Sequence, residues 1–207
     1  MPLEISLGEF EKLAAKAFRG AGYPWGLADD AAFACRRLEA AGLSAADAAV
    51  RLLDHVDQHV LAAVMPNAGW QSDAGILCPV CTGAAASDLG DELFAGSERR
   101  TLDHVAEPLL LIALLSLSPV VSDGQSVVVE WAGGHAEVTT RGMLCNGHLP
   151  MDVMTVHITR IEDTATPMSP TQTRAFMTEA AHEKLTSYAA RTYAPATEQS
   201  RHGAGPS

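Results

Sequence analysis

The sequence predicts an α+β domain, and three observations carry that reading. The first 65 residues fall into three consecutive capped segments with helical apolar spacing. The period changes near residue 125 to β-branched alternation around a Gly-Gly pair. Aromatics make up only 5% of a chain that is 47% hydrophobic, so the core is built from Ala, Leu and Val, which suits closely packed helices. The expected layout is an N-terminal helical layer of three helices, a buried central helix, a small antiparallel sheet and a C-terminal helix. Residues 1–193 form the domain and 194–207 a Gly-containing tail folded back onto it.

The elements follow in order. Ser6-Leu7-Gly8-Glu9 is a capping box, with Leu7, Phe10, Leu13, Ala14, Ala17 and Phe18 on one face behind it. Gly20 and Gly22 end that helix. The second helix runs from about Trp25 to Ala41, burying Leu27, Ala31, Ala34 and Leu38. Ser44 caps the third, running to about Val64 with Val50, Leu53, Val56, Val60 and Leu61 inward. Residues 66–75 read as a loop exposing Trp70. Residues 76–93 read as a helix of small residues broken by Pro79 and Gly90, and 97–103 as a polar loop. Residues 105–117 are apolar all round, as in a buried helix. Strands are expected over 126–131 and 135–140, turning through Gly133-Gly134, and over 153–161. Residues 163–171 read as a loop, and 173–193 as the last helix with Phe176, Ala180, Leu185 and Tyr188 inward.

Composition excludes several classes. Formal charge is −11 with no basic run, which counts against nucleic acid and anionic membrane surfaces. The longest apolar run, Leu109 to Leu115, is far short of the ~20 residues of a spanning helix, and the first residues lack the pattern of a signal peptide. Four cysteines are too few for a disulfide scaffold, so reduced thiols and a cytoplasmic location are expected. No G-x-G-x-x-G, phosphate loop or G-x-S-x-G elbow occurs.

Two stretches carry more chemistry than a connection needs. Arg19-Gly20-Ala21-Gly22-Tyr23-Pro24-Trp25-Gly26-Leu27-Ala28-Asp29-Asp30 packs a cation, two aromatics and two carboxylates between helices. Trp25 reads as a core plug and Tyr23 as a pocket wall. One of Asp29 and Asp30 complements the helix dipole, and the other, Asp30, faces a ligand. Near the other end, Thr197, Glu198, Ser200 and Arg201 supply hydroxyls, a carboxylate and a fork donor, while Gly203 and Gly205 allow close backbone approach. The alternative for this second stretch is a polar tail whose Thr and Glu cap a short turn.

If the two stretches meet, they form a site for a small polar or carboxylate-bearing metabolite. Arg19 and Arg201 would hold an anion, and Tyr23, Asp30, Thr197, Ser200, Gly203 and Gly205 would line the site. Glu198 would be the acid/base group should the ligand be transformed. A second reading is a non-enzymatic interaction subunit or homo-oligomer. A third is a zinc-stabilised domain in which Cys78 and Cys81 of a C-x-x-C converge with His55 and His59. A redox role for the C-x-x-C ranks lower, because no strand-then-helix pattern precedes it. Cys35 reads as a core residue and Cys145 to His148 as a turn between strands.

The pair R-G-A-G-Y-P-W-G-L-A-D-D and T-Y-A-P-A-T-E-Q-S-R-H-G-A-G resembles the two signatures of a family of uncharacterised bacterial proteins. Leu77-Cys78-Pro79 and the apolar-then-hairpin middle are compatible with it. The resemblance implies an ordered tail and no particular activity. The opening helices are also similar to those of malate/L-lactate dehydrogenase-like enzymes without a Rossmann fold. The Ser-His-Gly that carries catalysis there is absent, so no activity transfers.

Overall fold

A computed structural model describes residues 2–121, 124–162 and 172–193. The α+β class holds. The N-terminal strand β1 (Leu3–Ser6) leads into helices α1 (Leu7–Gly20), α2 (Trp25–Ala40) and α3 (Ala45–Asp57). After a loop come α4 (Pro79–Asp88), the short α5 (Gly90–Leu93), strand β2 (Arg99–Ala106) and helix α6 (Pro108–Leu115). Strands β3 (Gln125–Trp131), β4 (Gly134–Thr139), β5 (Gly142–Gly147) and β6 (Val153–Glu162) follow, then β7 (Arg174–Met177) and α7 (Glu179–Ala190).

β2, β6, β3, β4 and β5 form, in that spatial order, an antiparallel sheet of five strands. Alternation decides its faces. Val127, Val129, Ala136, Val138, Val156 and Ile158 turn to the core, where α6 meets β4 and β6. All eight residues of α6 are buried, as its unbroken apolar character requires. α4, α2 and α3 pack around α6, and α1 and α7 pack together outside α2. β1 and β7 pair as a separate two-stranded ribbon.

Several local features match the sequence. Ser6 and Glu9 exchange both capping hydrogen bonds, at 2.9 and 3.1 Å. Gly133 supplies the positive φ, +93°, of the β3–β4 turn. Two glycines permit close helix packing. A Cβ on Gly20 would overlap the Tyr188 carbonyl of α7, and one on Gly83 would lie 2.5 Å from Leu114 Cβ.

Other expectations are corrected. α3 stops at Asp57, seven residues early, where His59 takes a positive φ and leaves Val60 exposed. Ser44 makes no capping bond. The carboxylate of buried Glu39 reaches over from α2 to accept from the Ala45 and Ala46 amides, and from Phe176 in β7. Pro79 does not break a helix but occupies its first turn, where its missing N–H costs nothing. Residues 99–106 are an edge strand rather than a loop, their polar side chains outward and Leu102 inward. Cys145 lies within β5 rather than in a turn. The last helix begins only at Glu179, after β7, so Phe176 and Ala180 are exposed while Leu185 and Tyr188 are buried.

Trp25 and Tyr23 exchange their expected places. Trp25 is 67% exposed, and Tyr23 is buried with its ring edge against Phe18. Trp70, expected outside, is buried as part of the hydrophobic core. Among the described residues, no helix is long and apolar enough to cross a membrane.

Candidate functional site

Chemistry concentrates where α4 and α6 begin. Leu77 forms a parallel bridge to Val105: the Leu77 amide donates to His104 O at 2.9 Å, and the Ala106 amide to Leu77 O at 3.0 Å. Two residues past Leu77 and three past Val105, a proline opens a helix: Pro79 for α4 and Pro108 for α6. The helices then run side by side in the same direction, with Gly83 against Leu114 and Ser118 Oγ donating to Ala86 O. Two helix N-termini therefore lie together, each with a positive dipole end.

An acidic group occupies each start. Cys78 is the residue before Pro79, and its sulfur lies 3.3 Å from the Tyr23 hydroxyl. Burial opposes ionisation of Cys78. Hydrogen bonds from the Cys81 thiol and amide, from Tyr23 and from the Val80 amide outweigh it and bring the thiol to about 7. Its bond to Cys78 and burial push Cys81 upwards, and burial followed by the nearby Cys78 does the same to Tyr23.

At the start of α6 stands Glu107, fully buried and left-handed at φ +39°. Its amide donates to Asp152 O at 2.7 Å. Its carboxylate takes a two-pronged pair from Arg51 of α3, at 2.7 and 2.8 Å. His104 and Asp152 are also left-handed, so three non-glycine residues with positive φ cluster at this junction. Such strain persists only where surroundings over-determine it, and it recurs at functional sites.

Arg51 also borders a depression of about 360 Å³ between α3 and α7. Its walls are Asp47, Val50, Arg51 and Asp54 on one side, and Thr178, Ala180, Ala181 and Lys184 on the other. Thr178 caps α7 by accepting from the Ala181 amide, which leaves the Glu179 and Ala180 amides without an intrahelical acceptor. Lys184 pairs with Asp54 at 2.9 Å, and Asp54 also accepts from the Tyr188 hydroxyl. The depression thus offers a forked cation, an ammonium and a helix N-terminus, balanced by two carboxylates.

The sequence-derived site fares differently residue by residue. Arg19 covers the face of exposed Trp25. Tyr23 points inward to Cys78. Asp30 is half-buried, and burial, then Asp29 and Asp88, raise its pKa. These three side chains therefore meet different neighbours rather than one common space. Thr197, Glu198, Ser200, Arg201, Gly203 and Gly205 lie outside the described residues. Among the described residues, no three of His, Cys, Asp and Glu are grouped to hold a metal ion, so His55 and His59 do not join Cys78 and Cys81.

Sequence reasoning passed over Arg51, since a lone Arg in an amphipathic helix looks ordinary, and gave Glu107, which stands at the N-cap of α6, no more than a capping part. The Glu-Pro that opens an all-apolar helix was the available signal. Before the C-x-x-C the chain makes only the isolated bridge at Leu77, and no strand lies between α3 and α4.

No curated protein and no solved structure matches the chain. Residues 5–78, a little over a third of the chain, match the family described as protein of unknown function (DUF3726), so the resemblance to an uncharacterised family rests on the stretch from β1 through Tyr23 to Cys78.

Proposed function

We propose that this protein binds a small carboxylate-bearing molecule in the depression between α3 and α7. One observation carries the reading: Arg51, held by the fully buried Glu107, stands in the wall of a cavity that also receives the N-terminus of α7. A guanidinium whose Nε and one Nη are already engaged is fixed in orientation. It offers its remaining donors without losing rotamer freedom on binding. Free helix amides favour an anion at the same place. Asp47 and Asp54 disfavour a simple polyanion and suit a ligand that also carries an amino group. The volume fits a molecule of metabolite size.

The sequence expectation of a small carboxylate-bearing ligand is kept, with the proposed site at Arg51 rather than where residues 19–30 and 197–205 would meet. Intact mass under native and denaturing conditions tests it on freshly purified protein. A small mass lost on denaturation, and absent from an Ala180→Trp variant whose indole would fill the depression, supports the reading. A co-purified mass that persists in that variant places the ligand elsewhere and sinks it. With nothing bound, titration with α-amino acids and short dicarboxylates decides, and failure of all of them to bind contradicts it.

A further inference from the structure

We propose that Cys78 and Cys81 form a reversible dithiol–disulfide couple, oxidised by a small uncharged peroxide. This inference is independent of the ligand depression. It stands on placement. Both cysteines are free thiols, Cys78 at the N-cap of α4 and Cys81 in its first turn three residues on. Pro79 between them fixes the start of the helix, so the Cys78 sulfur sits at an N-terminus that favours negative charge. The Tyr23 hydroxyl, 3.3 Å away, orients that sulfur from the opposite wall. Thr82, one turn beyond Cys78, is buried with its hydroxyl unpartnered, a spare polar group beside the pair.

Burial sets the oxidant. Cys78 is 1% exposed and Cys81 0%, which shuts out glutathione and protein disulfides and admits only a small neutral molecule. The other thiols differ in kind: burial pushes Cys35 far upwards, and half-buried Cys145 is also raised, to about 11.

The chemistry balances in two steps. The Cys78 thiolate attacks one oxygen of hydrogen peroxide, forming an S–O bond, breaking O–O and releasing hydroxide. The Cys81 thiol then attacks the sulfenic sulfur, forming S–S, breaking S–O and passing its proton to the departing oxygen, which leaves as water. Two electrons pass from the sulfurs to peroxide, and a small uncharged dithiol, subject to the same limit on size and charge, returns them. Tyr23 acts as a positioning residue through its hydrogen bond to Cys78.

The test exposes the full chain to equimolar hydrogen peroxide at pH 7, alkylates under denaturing conditions and maps the thiols by mass. Loss of two hydrogens, a Cys78–Cys81 disulfide and reversal by dithiothreitol are expected. Cys81→Ser should trap a dimedone-reactive sulfenic acid on Cys78. In Tyr23→Phe the pH profile of Cys78 alkylation should move part of the way towards an ordinary thiol at about 8.5, lowering its rate at pH 7, because the Cys81 thiol and amide still hold the sulfur. Oxidation of Cys145 with Cys78 and Cys81 still reduced would overturn the proposal. So would an unchanged pH profile in Tyr23→Phe, which would leave that residue a merely structural role.

Discussion

Glu39 and Glu107 are both buried carboxylates, and they solve the same problem in different ways. Glu107 is neutralised by a forked cation. Among the described residues Glu39 has no cation beside it and relies on three backbone amides, those of Ala45, Ala46 and Phe176. Burial raises the Glu39 pKa more than those amides lower it. A raised folded pKa means the native state holds the proton more tightly. The stabilisation linked to it is fully present below the unfolded value, about 4.3, and is lost as pH climbs through the higher folded value. Wild type should therefore lose stability relative to Glu39→Gln on going from pH 4 to pH 7, as read by urea unfolding at each pH. A constant difference between the two proteins would contradict this.

For Arg51→Ala the expected loss lies at the lower end of about 3–5 kcal/mol, because a buried charge is left unpaired while Arg51 itself is a third exposed. Arg51→Lys should fall between the two, keeping the charge and losing the fork. Chemical denaturation of the three proteins measures the order.

At the scale of elements, small residues decide how closely helices approach. Gly83→Ala would press a methyl into Leu114 and should cost about 1–3 kcal/mol. Leu114→Ala in the same chain should recover part of that, so a double-mutant cycle on unfolding free energies should be non-additive. Full additivity would mean that α4 and α6 do not meet at these two residues.

Elements were legible where one cause determined them. The Ser6 box, the alanine face of α2 and the apolar run of α6 each announce a helix without help from distant residues. Elements fixed by remote partners were not legible. The edge strand β2 exists through its pairing with β6, and β7 exists through β1; at α3 the start was legible at Ser44, but not the Glu39 carboxylate that bonds its first amides. A short strand before a capped helix merges with it in sequence, which is why residues 173–193 read as one helix.

At the scale of the whole molecule, the chain closes on itself: β1 pairs with β7, and α1 packs on α7. That closure brings the N-terminus of α7 against α3 and so makes the depression. Half of the candidate site was therefore invisible in the sequence. Arg51, Thr178 and Lys184 come from segments more than a hundred residues apart, and none stands in a motif. By contrast, the dense 19–30 stretch serves the core through Tyr23 and the surface through Arg19 on Trp25.

Thermal unfolding of wild type and Ala180→Trp, each with and without saturating small carboxylates and α-amino acids, tests the binding claim most directly. A ligand present at a hundred times its Kd adds about 2.7 kcal/mol, or about 5–10 °C for a chain of this size. That rise should occur in wild type with at least one carboxylate-bearing compound and vanish in Ala180→Trp. An equal rise in both proteins, or none in wild type, would contradict a ligand site between α3 and α7.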